Sequence, residues 1–196
     1  ALSSASCSWS SPWLRYSPLL AVLAAFDRYR LLCAVREGDW GVTGLNTAIE
    51  RELIARKRLV KDGPWYAGRP VMVTRNDSAL GVFNGDIGIT LPSPDGLLRV
   101  YFLDGDQLRS VGVARLAHIE TAFAMTVHKS QGSEFTHAAL VLPAYGGSVL
   151  GRELVYTGIT RAKAQCTVFT QHPKVLAQAL AQPTQRHSGL LEFFDS

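Results

Sequence analysis

TVHKSQGSEF, Thr126 to Phe135, separates two apolar runs and decides how the rest of the chain is read. Before it, Ala122 to Val127 has the texture of a strand. After it, Ala138 to Leu142 is an unbroken apolar run, the pattern of a strand buried on both faces. Between them stand His128, Lys129, Ser130, Gln131, Gly132, Ser133 and Glu134. A polar hinge between two buried strands belongs at the edge of an open α/β sheet, where ligands bind. Lys129 offers a point charge suited to phosphate. Ser130 and Gln131 offer neutral hydrogen bonds. Gly132 lets the backbone come close to a ligand. Glu134 can accept from a ribose hydroxyl or brace a cation. The plain structural alternative is a polar turn without a ligand.

A second cluster lies downstream at Arg152 to Lys163, RELVYTGITRAK. Leu154, Val155, Gly158, Ile159 and Ala162 recur at helical spacing and predict one buried stripe. Arg161 follows Thr160 near the predicted helix end and precedes a β-rich run, Cys166 to Thr170. A guanidinium there can reach across a cleft. Its planar fork binds oxygens bidentately and stays protonated, which suits a phosphoryl group developing charge. Alternatively, Arg161 only favours the helix C-terminus through the dipole.

The two clusters together resemble the fifth and sixth conserved motifs of superfamily 1 helicases. TVHKSQGSEF followed by ELVYTGITRAK is similar to the RecD branch, the helicase of exodeoxyribonuclease V. LLCAVREGDWGVTGLN from Leu31 to Asn46 and GRPVMVTRNDSALGVFNGDIGI from Gly68 to Ile89 fit the same family. The similarity runs from about Ala25 to the C-terminus. The first motif is shared across the superfamily, and its combination with NGDIG is more specific to RecD-like enzymes.

This resemblance implies the second of two RecA-like domains, with ATP bound between them. The P-loop and the Mg2+ ligands then belong to an N-terminal domain outside this sequence. It implies that Arg161 is an arginine finger, that Glu134 holds the ribose, and that Gln131 and Gly132 lie where ATP and DNA sites communicate. Arg36 matches an earlier motif loosely, as a nucleotide-phosphate contact or as the residue that closes a strand–Gly turn. Thr126, His128, Lys129 and Ser130 are implied contacts to single-stranded DNA phosphates, with an internally satisfied hinge as the alternative for His128. The family pattern adds Asn84, although Asn84-Gly85-Asp86 is also ordinary turn chemistry. For the whole enzyme the resemblance implies 5′-to-3′ translocation in double-strand break repair and recombination. RecB-like and RecC-like subunits are the implied partners, one of them carrying the nuclease. Other readings are a relaxase-linked or Pif1-like superfamily 1 helicase, a non-catalytic nucleic-acid-binding module, or an assembly domain.

Composition is compatible with this. The chain has 196 residues, 47% hydrophobic and 18% charged, enough for one substantial core or one core with a small insert. A net charge of +4 weakly favours an anionic partner. Arg51, Arg56, Lys57, Arg58 and Lys61 crowd together, first as a solvated helix face and second as a nucleic-acid contact. No G-x-x-x-x-G-K-[ST] occurs, and no Asp-Glu pair suggests a magnesium site, so these motifs make half an ATPase. Cys7, Cys33 and Cys166 are odd in number and lack metal-ligand spacing, which predicts a reduced, cytoplasmic chain without a metal site of its own. No apolar run is long enough to span a membrane. Trp13 to Phe26 reads as a packed helix, with no basic run before it to make it a signal-peptide core. Ala1 to Ser11 reads as a Ser-rich tail, and the absence of an initiating Met predicts a fragment.

The expected fold is α/β: a RecA-like parallel sheet flanked by helices, with an inserted small SH3-like β-barrel. Residues 1–24 are expected to form a tail and helix. Residues 25–79 and 117–196 are assigned to the RecA-like domain and 80–116 to the insert. Strands are predicted at Leu31 to Val35 and Val71 to Thr74, and a helix from Thr43 to Leu59 with Leu45, Ile49 and Leu53 on one stripe. Turn signals at Asn84-Gly85-Asp86, Pro92 to Gly96 and Asp104-Gly105-Asp106 bracket short strands at Ile87 to Leu91, Leu98 to Phe102 and Leu108 to Val113. That texture predicts the barrel, and the resemblance independently implies it. A last helix is expected from about Lys174 to Ala181, and Gly189 to Phe194 as a short helix or partner contact.

Overall fold

The structure is a computed structural model that describes residues 12–105, 107–145 and 147–182. The Ser-rich tail and the Gly189 to Phe194 stretch lie outside the described residues. In chain order the elements are α1 (Pro12–Asp27), β1 (Tyr29–Cys33), α2 (Val42–Ala55), β2 (Pro70–Val73), β3 (Ile87–Pro92), β4 (Leu98–Asp104), β5 (Gln107–Gly112), β6 (Ile119–Thr121), β7 (Ala124–Thr126), β8 (Phe135–Leu142), α3 (Arg152–Ile159), β9 (Ala162–Thr170) and α4 (Lys174–Ala181). They fall into two units. One holds the chain up to Arg28 together with Glu52–Ala122. The other holds Tyr29–Arg51 and everything after Ala122.

The second unit is a parallel sheet in the order β7-β1-β8-β9 with flanking helices. Strand β8 is central, and Ala138–Leu142 is buried throughout, which explains its continuous apolar run. Cys33, Val42 and Ala124 form a small core with Leu31 and Leu45, seating the start of α2 against β1 and β7. Helix α3 lies close on β8. A Cβ on Gly158 would stand 2.9 Å from a terminal methyl of Leu140, so any side chain there requires Leu140 to shift. The predicted stripe on α3 is shorter than expected. Leu154, Val155 and Gly158 are buried, but Ile159 is exposed and Ala162 already belongs to β9. Strand β9 starts four residues earlier than predicted: Lys163–Cys166 lie exposed on the sheet edge and hold no bulky aliphatic residue to mark a buried face.

The first unit is a five-stranded antiparallel sheet, β5-β4-β3-β2-β6. Period-two alternation along β4 serves both faces. Val100 and Phe102 enter a core with Val71, Val73, Val82, Val111 and Leu116. Tyr101 turns the other way, joining Ile89 and Leu23 of α1, with Leu19 and Phe26 beside them. Strand β3 crosses β4 so closely that a Cβ on Gly88 would lie 2.7 Å from the Tyr101 carbonyl oxygen. The Ser93–Leu97 turn is held by the Ser93 hydroxyl, whose single proton is within reach of both Asp95 and the Leu97 carbonyl; its bond to Asp95 keeps that carboxyl below its usual range.

One strand assignment changes. Val71 to Thr74 was expected in the parallel sheet; instead β2 pairs antiparallel with β3 and β6. All four of its residues are buried, and a short strand buried on both faces reads alike in either sheet. The expected barrel closure is not what the ladders show: β5 and β6 stand at opposite edges of the sheet.

Candidate functional site

The polar hinge is a crossover from the C-terminal end of β7 to the N-terminal end of β8, with β1 lying between those two strands in the sheet. Its first part is pinned at the C-terminal end. The Val127 amide donates to the Cys33 carbonyl at 3.0 Å, tying the hinge to the end of β1. Residues His128–Ser130 form one 3-10 turn. The Ser130 hydroxyl is fully buried and donates to the Val127 carbonyl at 2.6 Å, and the Thr126 hydroxyl accepts from the Lys129 amide at 3.3 Å. Both hydroxyls therefore brace the turn, while His128 is exposed and Lys129 half-buried. Of the four expected phosphate contacts, Ser130 is the one folded inward.

Gln131, Gly132, Ser133 and Glu134 are all exposed. Gly132 has φ +85, a conformation that favours glycine, and no heavy atom lies within 4 Å of where its Cβ would be. The chain then reaches the opposite end of the sheet, where Arg161 immediately precedes β9. The Phe135 amide donates to the Arg161 carbonyl at 2.8 Å. The Arg161 guanidinium donates from Nη1 to the Ser133 carbonyl at 3.2 Å and from Nε to the Thr157 carbonyl at 3.2 Å. Lys163 Nζ stands 3.5 Å from the Glu134 carboxylate, both side chains largely exposed.

The expected residues thus form two groups instead of one sheet-edge cluster. Thr126, His128, Lys129 and Ser130 follow the C-terminal end of β7. Glu134 and Arg161 meet at the N-terminal ends of β8 and β9. Nearness in sequence concealed this, because the crossover covers the length of the sheet. Arg36 lies in the exposed loop after β1, on the C-terminal side with the first group. Its carbonyl accepts from the amide and hydroxyl of Thr43 at 3.0 and 3.2 Å, and its Nε is 3.8 Å from Glu37. Asn84 belongs to the other unit, exposed, with its amide donating to the Asn76 side chain at 2.8 Å. In the basic run, Arg56 pairs with Glu52 at 2.6 Å and Lys61 stands over the Tyr66 ring at 5.6 Å.

Three supporting residues escaped the sequence reading. Asn46 of α2 is buried and bonds both backbone groups of Ala124, accepting from its amide at 2.9 Å and donating to its carbonyl at 3.2 Å. An Asn on the buried side of an amphipathic helix was the available signal. Lys163 was quoted in the motif but given no role. Tyr156 is 69% exposed on α3 and, with Arg152, Glu153 and Thr157, lines a shallow recess of about 400 Å³. Among the described residues no three His, Cys, Asp or Glu side chains converge as a metal site, and no helix is long and apolar enough to cross a membrane.

Residues 121–169, which contain the crossover, α3 and nearly all of β9, match the family described as the UvrD-like helicase C-terminal domain. That stretch is similar to the helicase class the family model describes. More particularly, the chain is similar over most of its length to RecD subunits of RecBCD enzymes. It is 42% identical to the Mycobacterium tuberculosis RecD subunit over 168 residues, 86% of this chain and 29% of that protein. It is 42% identical to the Haemophilus influenzae subunit over 172 residues, 87% of this chain and 26% of that protein. The ATP-dependent RecD2 DNA helicase of Deinococcus radiodurans is 31% identical over 83% of this chain and 23% of its own length. Among solved structures, the Pif1 helicase of Candida albicans superposes with a TM-score of 0.47 at 14% identity, covering 91% of this chain and 54% of that one. The chain spans less than a third of the length of these curated relatives.

Proposed function

We propose that this chain is the C-terminal motor portion of an ATP-dependent, 5′-to-3′ DNA helicase subunit, working with RecB-like and RecC-like partners in double-strand break repair. The observation that carries the reading is the crossover from Val127 to Glu134, which joins two chemically different groups. At one end Lys129 and His128, with Thr126 and Arg36 nearby, suit a phosphate backbone. At the other, Arg161 and Lys163 supply cations and Glu134 a carboxylate, a donor set that fits a nucleotide triphosphate and its ribose. ATP supplies the free energy for strand movement. Arg161 stabilises charge on its terminal phosphate, Glu134 accepts from the ribose, and Gln131 and Gly132 transmit between the ends. The Mg2+ ligands and the P-loop are assigned to the partner RecA-like domain. Residues 80–116, within the antiparallel unit, are read as the SH3-like insert of such enzymes, with Asn84 near the DNA path.

Two substitutions in the full-length enzyme test the division. Arg161→Ala should lower DNA-stimulated ATP turnover by roughly a thousandfold, by analogy with arginine fingers, with single-stranded DNA affinity kept. Lys129→Ala should reduce the salt dependence of DNA binding by about one counterion while turnover at saturating DNA changes little. Loss of both functions together in either variant would remove the two-ended reading.

A further inference from the structure

Phe83 is 50% exposed, yet the loop that carries it is held from every side. The Asp77 carboxylate accepts from the amides of Ala79 and Leu80, each at 3.1 Å. Asp77 and Val82 exchange backbone hydrogen bonds at 2.8 and 3.1 Å. Asn76 accepts from the Asn84 amide at 2.8 Å. Asp86 accepts from the Phe83 amide at 3.0 Å and from Arg109 Nη2 at 3.2 Å. Next to Phe83, Val82 is 1% exposed in the core, and Leu80 packs on the same cluster. A loop so anchored holds the Phe83 backbone in place at the surface. Half of the residue is left in water there, at the cost of its unburied apolar area.

The surroundings of Phe83 separate the two occupants an exposed aromatic can have. The core of a protein interface is an apolar patch depleted of charge. Here the exposed residues between Arg75 and Gly85, besides Phe83, are Arg75, Asn76, Ser78, Ala79, Asn84 and Gly85, mostly polar with one cation, while the carboxylates of Asp77 and Asp86 are occupied by hydrogen bonds. A lone rigid ring among hydrogen-bonding groups and an arginine is instead the arrangement on which unpaired bases stack. We infer that Phe83 is a base-stacking residue for single-stranded nucleic acid. This rests on the nucleic-acid reading above and adds to it a residue and a mode of contact, the π-face of a base in place of its phosphate.

The test is fluorescence anisotropy of the 196-residue chain with labelled oligothymidylate and with the same backbone made abasic. Wild type should bind oligothymidylate more tightly than the abasic strand. Phe83→Ala and Phe83→Leu should lower thymidylate affinity about fivefold to a hundredfold and erase the preference over the abasic strand. Phe83→Trp should keep both. All three should melt with wild type, because the ring is half in solvent; the Leu variant guards against a cavity effect. Unchanged thymidylate binding by the folded Ala variant would overturn the inference and leave Phe83 to a protein partner. In that case wild type still binds and Lys129→Ala still weakens it. If wild type shows no binding, the nucleic-acid reading itself falls, and this inference with it.

Discussion

Each nitrogen of the Arg161 guanidinium donates to a neutral oxygen: the carbonyls of Thr157 and Ser133 and the hydroxyl of Thr160, at 3.2 to 3.3 Å. Hydrogen bonds to an ionised oxygen are roughly twice as strong, so a phosphate arriving at this end of the sheet can outcompete them. Lysine at 161 cannot reproduce three directed donors, and Arg161→Lys should restore little of the turnover lost in Arg161→Ala. The Cys33 thiol presents the opposite case, a titratable group sealed from chemistry. Burial pushes its pKa from 9.0 up to about 12. The unfolded chain therefore loses the thiol proton first. Above about pH 9 ionisation stabilises the unfolded state, and folded stability falls by about 1.4 kcal/mol per pH unit until the folded pKa is reached. Urea denaturation at about pH 8 and about pH 10.5 should show a smaller alkaline loss for Cys33→Ala than for wild type. Equal losses would mean that Cys33 ionises as freely folded as unfolded.

At the scale of elements, what could be read from the sequence depended on burial. Strand β8 was legible because its apolar run is long and continuous, and α4 because its pattern is bounded by Pro173 and has matching ends. The edge strand β9 was only half legible, since Lys163, Ala164, Gln165 and Cys166 alternate but include no bulky aliphatic residue and are all exposed. The residue types of the candidate site were legible; their division between two ends of a sheet was not, because strand order is a long-range fact. Asn46 illustrates the same limit. Its partner, Ala124, is far along the chain, and the pair ties α2 to the short edge strand β7 just before the hinge. Asn46→Ala leaves the amide and carbonyl of Ala124 without that partner, and should cost roughly 1–3 kcal/mol in urea denaturation. A loss below about 0.5 kcal/mol would show that water replaces the side chain there.

For the molecule as a whole, the two units share the chain unevenly with the motifs. The quoted helicase motifs Thr126–Phe135 and Arg152–Lys163 both fall in the parallel-sheet unit, while the NGDIG signature falls in the antiparallel one. Composition did not separate the units, since both bury ordinary aliphatic cores, and the crowding of turn signals between Leu80 and Leu116 marks only part of a unit that runs from Glu52 to Ala122 together with the chain before Tyr29. Without a phosphate-cradling loop in its sequence, the 196-residue chain should show no ATP hydrolysis above background, with or without DNA. Turnover by the purified chain that survives further fractionation would place a complete nucleotide site within it.

The crossover has a mechanical side as well. From Thr126, level with Cys33 and Val141, the chain must descend to Phe135 while stepping sideways past β1. Six residues of strand rise and two strand spacings make that path about 22 Å. Nine fully extended backbone steps would reach about 30 Å, and the difference is stored in the turns closed by the amides of Ser130, Gln131 and Ser133. On the function proposed above, a pull at the Lys129 end reaches Glu134 and Arg161 once those turns have opened.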